Sequence, residues 1–413
     1  MKKLSAIFLS FVMLFVFATG AQAQTAAPSV KVLLGEEQLA FTGAQPFIEK
    51  GTTLIPVKPF LEKLGYELSW EAETSILHAS KGELSFVLER DSDEAMANNE
   101  GYKLNVAPKI VNGTLYASLR FLAENAGYRI GWDSENRAAA LEKQDNKGFF
   151  WKVEKDGSVV YLLGSIHVGN DIMYPMRPEI NAAYGNSDHL VVEINIAAPM
   201  DEQTVADIQK YMTYADGSTL KEHIDAESYT KLQEILKEVG VDETAFDTYK
   251  PWAVSNQLTV LKSALGGYET GLGIDMYFLQ KAMITGKSIL ELESYDSQFS
   301  MFNNFSEEFT ASMLQETIAA YHQPDNTTDT MAKMWVDGDD AASAELTNAL
   351  KELPEYYKGM IGDRNEGMIE KVEGYLADEN KDTYFVVAGY LHMLGDDGII
   401  TKLQEKGYTI TRQ

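Results

Sequence analysis

Val159-Val160-Tyr161-Leu162-Leu163 runs without a break into Gly164-Ser165-Ile166-His167-Val168-Gly169. Near the other end of the chain, Tyr384-Phe385-Val386-Val387-Ala388 runs into Gly389-Tyr390-Leu391-His392-Met393-Leu394-Gly395. Both stretches obey one grammar: a continuous apolar run, Gly, two residues, His, then Gly again. A short, unbroken apolar run reads as a strand buried on both faces. A strand end can project side chains into a site while the scaffold stays rigid. Gly at that point permits a sharp turn or a close backbone approach. His167 and His392 are therefore the leading candidates for chemistry, with Gly164 and Gly389 as the backbone positions that serve them. The other four His (His78, His189, His223, His322) lack this setting and read as ordinary.

Working outward, Leu190-Val191-Val192-Glu193-Ile194-Asn195 is a strand with a carboxylate in an apolar run. Such a Glu is costly to bury unless paired or metal-bound, and the competing reading is an edge strand with Glu193 in solvent. Ser288-Ile289-Leu290-Glu291-Leu292-Glu293 is a second carboxylate-bearing strand, with Glu291 and Glu293 on one face by alternation. Asp275 opens a helix over Met276–Met283, where a first-turn acid explains it as well as a site role does. Gly271-x-Gly273 has no preceding strand and no third Gly, which argues against a dinucleotide site. Arg364-Asn365 starts another helix, and Arg364 could pair with a site carboxylate, bind a substrate carboxylate or stay in a surface ion pair. The stretch 199–380 is rich in amphipathic helices, among them Tyr229–Val239, Trp252–Ala264 and Glu307–Tyr321. Its Met and aromatic residues read as core or groove lining. Strand and helix signals alternate over 149–413, which predicts an α/β or α+β domain with a helical insertion over the strand ends.

The first part of the chain is a repeat. Residues 30–143 match themselves at an offset of 62: Pro46 with Pro108, Gly51-Thr52 with Gly113-Thr114, Gly65-Tyr66 with Gly127-Tyr128, Trp70 with Trp132. Each half predicts a turn, a short strand, a short helix ending at Gly and two further strands, with the Trp read as core. These units resemble the copper amine oxidase N-terminal-like (stalk) domain, on Thr53–Lys58, Leu61–Gly65 and Trp70 and on Leu115–Arg120, Leu122–Glu124 and Gly127–Asp133. Ser118 replaces the second copy's usual Pro. One His (His78) and no clustered ligands imply a binding or spacer module, with cell-wall contact as an expectation. Lys143–Gly148 is polar, and 144–148 reads as the linker.

Composition narrows the classes. The 413 residues hold 35 Lys and Arg against 62 Asp and Glu, a formal charge of −27 that speaks against nucleic-acid and anionic-membrane partners. With no Cys, disulfides, Cys-held zinc, iron–sulfur clusters and thiol catalysis are excluded, so any metal falls to His and carboxylate. Met1-Lys2-Lys3, the apolar Leu4–Ala18 and Ala21-Gln22-Ala23 read as a signal peptide over 1–23, cleaved near Ala23. The apolar run is short for a bilayer span, so the expectation is a secreted or envelope protein with no transmembrane anchor in the mature chain.

The motifs of 149–413, taken together, resemble the TraB/PrgY/GumN family, related to the Tiki proteases. They are Gly164-Ser165-Ile166-His167, Glu193, Pro251-Trp252, Gly273-Ile274-Asp275, Gly286-Lys287, Leu290-Glu291, Gln298, Arg364-Asn365, Gly389-Tyr390-Leu391-His392 and Gly407–Ile410. The resemblance implies a duplicated α/β core (Tiki/ChaN-like) with a large helical insertion. It also implies a divalent metal on the paired Gly-x-x-His motifs and a Glu, and peptide-bond hydrolysis in the Tiki branch. His167, His392 and Glu193 are then the ligands, or Glu193 the base. Arg364 would stabilise an oxyanion, and Asp275, Glu291 and Asn365 would orient the ligands. Zinc, manganese and cobalt all suit two His and one carboxylate. The alternative is a non-catalytic envelope protein that sequesters a peptide or binds haem. No His-Glu-x-x-His occurs, so a zincin is excluded.

Overall fold

The computed structural model describes residues 30–324 and 326–413. The signal-peptide reading of 1–23 lies outside them. Among the described residues no helix is long and apolar enough to cross a membrane.

The repeat is visible as structure at its own offset. Strand Thr52–Pro56 and helix Val57–Lys63 recur as strand Thr114–Ser118 and helix Leu119–Asn125, each 62 residues on. Strands Glu67–Glu71 and Ile76–Lys81 recur as Tyr128–Asp133 and Ala138–Lys143. The first strands of the two copies pair antiparallel, with Ala117 opposite Ile55, which places the copies face to face over one apolar core. The Trp expectation fails. Trp70 and Trp132 are 41% and 47% exposed. They share a sheet face with the buried Leu77 and Ala139, but on edge strands, where the margin of the core leaves the rings open to solvent.

The larger domain is built on one six-stranded sheet. Its strands are β1 (Phe149–Lys155), β2 (Ser158–Ser165), β3 (His189–Val192), β4 (Ser288–Glu291), β5 (Thr383–Gly389) and β6 (Thr409–Arg412). The order across the sheet is β4-β3-β5-β2-β1-β6. Strands β4, β3, β5 and β2 are mutually parallel, and β1 and β6 complete the sheet antiparallel. The two strands with unbroken apolar runs, β5 and β2, are the central neighbours, as burial on both faces demands. Helices α1 (Pro178–Asn186), α2 (Ile274–Thr285) and α3 (Asp363–Leu376) contribute to the core around this sheet. The connections between β3, β4 and β5 hold the predicted helical insertion. Its helices include Ala226–Glu238, Pro251–Leu265 and Glu307–Ala320, packed on a second apolar cluster around Leu232, Leu258 and Leu314.

Residues 144–148 connect the two parts without hanging free. The Asn146 amide donates to the Ile172 carbonyl at 3.1 Å, and Arg412 donates to the Gly148 carbonyl at 2.6 Å. A buried ion pair also joins the parts: Lys281 of α2 meets Glu100 at 2.5 Å and Asn181 Oδ1 of α1 at 3.0 Å. The N-terminal module therefore grips α2, whose opposite end faces His167.

Candidate functional site

Parallel strands all deliver their C-terminal ends to one edge, and ligands of open α/β sheets gather there. In sheet order β4, β3, β5, β2, that edge carries Glu293, Glu193, His392 and His167. Each residue follows its strand by one to three positions.

His392 is buried, and its partners settle its tautomer. Asn365 of α3 donates through Nδ2 to the carbonyls of His392 (3.2 Å) and Asp397 (2.7 Å). Its Oδ1 is therefore the acceptor for His392 Nδ1–H at 2.6 Å. The lone pair lies on Nε2, 3.9 Å from Glu193 Oε1. Burial and the nearby Arg364 cation push the His392 pKa down to about 3, so the ring is neutral at pH 7.

His167 has the other character. Its Nδ1 lies 3.3 Å from Asp275 Oδ2, in the first turn of α2. Ile274 N–H donates to the Ile166 carbonyl at 3.0 Å, tying the His167 loop to that helix start. A Cβ on Gly273 would come within 2.6 Å of the His167 carbonyl, which accounts for the glycine. Burial works against the charged ring, but Asp275 and Glu193 outweigh it and raise the pKa to about 9. The imidazole is 63% exposed, so solvent screens the pull.

Glu193 is the hub. Its Oε1 accepts the Gly389 N–H at 2.5 Å, and its Oε2 accepts from Arg364 Nη2 at 2.6 Å and Gln298 at 3.3 Å. Burial opposes its charge, but Arg364, both imidazoles and the Gly389 amide hold the carboxyl well below the usual carboxylate range. Arg364 also forks onto Glu293, Nε to Oε1 at 2.9 Å and Nη2 to Oε2 at 2.5 Å. Against burial, these bonds raise its pKa still further. Its Nη1 makes no hydrogen bond to a described residue. A π-turn, Lys358–Gly362, precedes α3 and sets where Arg364 emerges.

Gly389 lies at the middle of the group. A Cβ there would stand 3.2 Å from Glu193 Oε1, 3.5 Å from His392 Cδ2 and 3.9 Å from His167 Nε2. Gly164 points elsewhere: its Cβ would strike Phe149 and Tyr390 Cβ atoms at 2.8 and 2.7 Å. The cause is register, because Ser165, not Gly164, lies opposite Gly389. The structure thus brings His167, His392, Glu193, Arg364, Asp275 and Asn365 together. Glu291 is the exception: it is exposed, and its Oε1 accepts the Asn195 N–H at 2.7 Å. Glu293, two residues beyond the end of β4, takes the place beside Arg364. Gln298, which bridges Glu193 and Glu293, had no assigned role in the sequence reading. The Leu-Glu-Leu-Glu alternation was the available signal for Glu293.

Residues 149–412, well over half the chain, match the sequence profile described as the TraB/PrgY/gumN family. The chain belongs to the TraB/PrgY/gumN family. Residues 34–141 match the copper amine oxidase N-terminal domain. The chain is similar to the uncharacterized protein YbaP of Escherichia coli K12, 24% identical over 239 residues, covering 58% of this chain and 85% of YbaP. YbaP of Shigella flexneri matches with the same figures. In this TraB-family chain both imidazoles have Nδ1 engaged and Nε2 unbonded. Asp275 Oδ1 is buried with no hydrogen-bond partner. Among the described residues, no group of three or more His, Cys, Asp or Glu side chains stands close enough to hold a metal ion as it is. Two imidazoles and one ionised carboxylate stand close together, with Asp275 behind one ring and Asn365 behind the other.

Proposed function

We propose that this protein is an exported, divalent-metal-dependent hydrolase that cleaves peptide bonds, with the N-terminal module as its envelope attachment or spacer. One observation carries the reading. Both strand-end imidazoles are held through Nδ1, by Asp275 and by Asn365, which turns Nε2 of each toward Glu193 Oε1 and Gly389, and His167 would give up its Nε2 proton on binding an ion. Outer partners of this kind set the tautomer of metal-ligating His. His167, His392 and Glu193 would hold the ion, with zinc, manganese or cobalt compatible. When bound, such an ion supplies a water of pKa about 7 and polarises a carbonyl.

The chain's own groups do the rest. Glu193 stays ionised and is too weak a base for proton abstraction near neutrality, so it serves as ligand. Arg364, locked on Glu193 and Glu293, presents Nη1 as a fixed donor where negative charge develops on the scissile carbonyl oxygen. Glu293 and Gln298 hold that guanidinium in place. Water adds across the amide bond, giving a carboxylic acid and an amine.

The test uses the mature chain, its His167→Ala and its His392→Ala forms. Metal content is measured by plasma mass spectrometry and turnover on a fluorogenic peptide library. Stoichiometric metal and chelator-sensitive turnover in the parent, both lost in the variants, are expected. Equal metal content in all three overturns the proposal. Peptide binding without turnover, indifferent to chelator, would favour sequestration instead.

A further inference from the structure

A recess of about 590 Å³ opens beside Glu293 and Arg364, within the 300–1,000 Å³ or so of small-ligand sites. Its apolar lining comes from Leu292, Met301, Phe305 and Met368, all buried. The charged groups around it are engaged by protein partners. Lys358 pairs with Asp363 at 2.6 Å, Glu355 Oε2 accepts from Ser306 Oγ at 2.9 Å, and Arg364 is taken by its two glutamates. An anionic group entering would lose water and find no free cation, and a cation would meet only the Ser306-bonded Glu355 while burying its charge against the apolar wall. At the rim, the exposed Asn304 side-chain amide has no hydrogen-bond partner among the described residues and is available to a peptide backbone.

Two glycines shape the space. Gly359 lies in the π-turn, and a Cβ there would strike Phe305 Cε1 at 2.6 Å, so its absence lets that ring form the wall. Gly367 lines the recess one helical turn beyond Arg364, and a Cβ there would meet no atom within 4 Å. The space beside Gly367 is therefore open.

We propose that this recess is the specificity pocket, taking an uncharged apolar or aromatic side chain of the peptide substrate next to the scissile bond. The proposal rests on the peptidase reading above. The recess shares Glu293 and Arg364 with the site, so a side chain seated there leaves its own backbone at the Arg364 guanidinium. A pocket of this kind separates side chains by about 10–200-fold per methylene-sized difference.

The test compares kcat/KM of the metal-loaded mature chain on peptides that differ at one position, with Ala, Leu, Phe, Lys or Glu. The parent is expected to favour Leu and Phe over Ala, Lys and Glu by at least about tenfold. Gly367→Met fills the recess and replaces a helical glycine with a good helix former. It is expected to keep the metal content and lower the Phe-to-Ala ratio of kcat/KM by at least about tenfold. Ser300→Leu, on the facing wall, serves if the first variant does not fold. A Phe-to-Ala ratio unchanged in a metal-loaded blocking variant, or a parent that prefers Lys or Glu, overturns the pocket and leaves the peptidase reading standing. A parent with metal-free, turnover-free behaviour removes the peptidase reading, and the pocket with it.

Discussion

His167 and His392 follow the same sequence grammar and end up as opposite kinds of histidine. His392 is buried, backed by the neutral Asn365 amide, and held uncharged. His167 is open to water, backed by the Asp275 carboxylate, and drawn toward its charged form. The glycines that precede them differ in the same way. Gly389 opens onto the site, while Gly164 is pressed between Phe149 and Tyr390. A repeated motif therefore does not carry a repeated environment. One arm is rigid and preset, and the other is adjustable by water and by whatever binds.

Replacing each His in turn should separate the arms most clearly. Both Ala variants are expected to lose the metal, but only His392→Ala should lose about 1–3 kcal/mol of stability, since it strands the buried Asn365 Oδ1. His167→Ala should stay near the ~0.5 kcal/mol of an exposed substitution. Urea unfolding beside metal analysis reads both, and equal stability losses would break the comparison. The glycines should split next. Gly164→Ala is expected to cost about 1–3 kcal/mol by overpacking against Phe149 and Tyr390. Gly389→Ala should fold with near-parental stability yet lose metal, because its methyl takes the space between Glu193 and the imidazoles.

A smaller effect sits behind His167. Asp275→Asn should weaken metal affinity by about 10–100-fold, as loss of an outer partner does, with little change in the melt. The smallest is the pH response of chelator-treated protein. The His392 pKa lies below its unfolded value, so the unfolded chain takes up that proton first and stability falls as pH drops from about 6.5 toward 3. The His167 pKa lies above its unfolded value, so that contribution is present below about 6.5 and fades as pH rises toward 9. Asp275→Asn should flatten the alkaline limb and leave the acid limb unchanged. A flattened acid limb would show that the arms are coupled.

Much of this was readable from residue patterns, and the failures have physical causes. The central strands announced themselves because a strand buried on both faces must be continuously apolar. The N-terminal repeat announced itself because each copy needs the same turn and helix-end residues. The strand-end Glu193 was legible as a carboxylate with no business in an apolar run unless partnered. Glu291 was chosen over Glu293 because alternation gives a face but not the point where the strand meets Arg364. Trp70 and Trp132 were read as core because size and recurrence suggest it, whereas their edge-strand faces remain open. Gln298 stood among the motif residues of the resemblance, but its role was not legible, since its two carboxylate partners follow different strands.

The amino-acid sequence alone determined which side chains are chemically equipped, which segments become strands and helices, and that any metal would fall to His and carboxylate. Periodicity, turn chemistry and composition are local properties, and they need no knowledge of neighbours. Only the tertiary structure decided which strands lie side by side, and the one-residue offset between β2 and β5 that sends Gly164 into the core and Gly389 into the site. That offset is a matter of long-range pairing. A pleated strand reverses face at every residue, so a single step of register changes what each side chain meets.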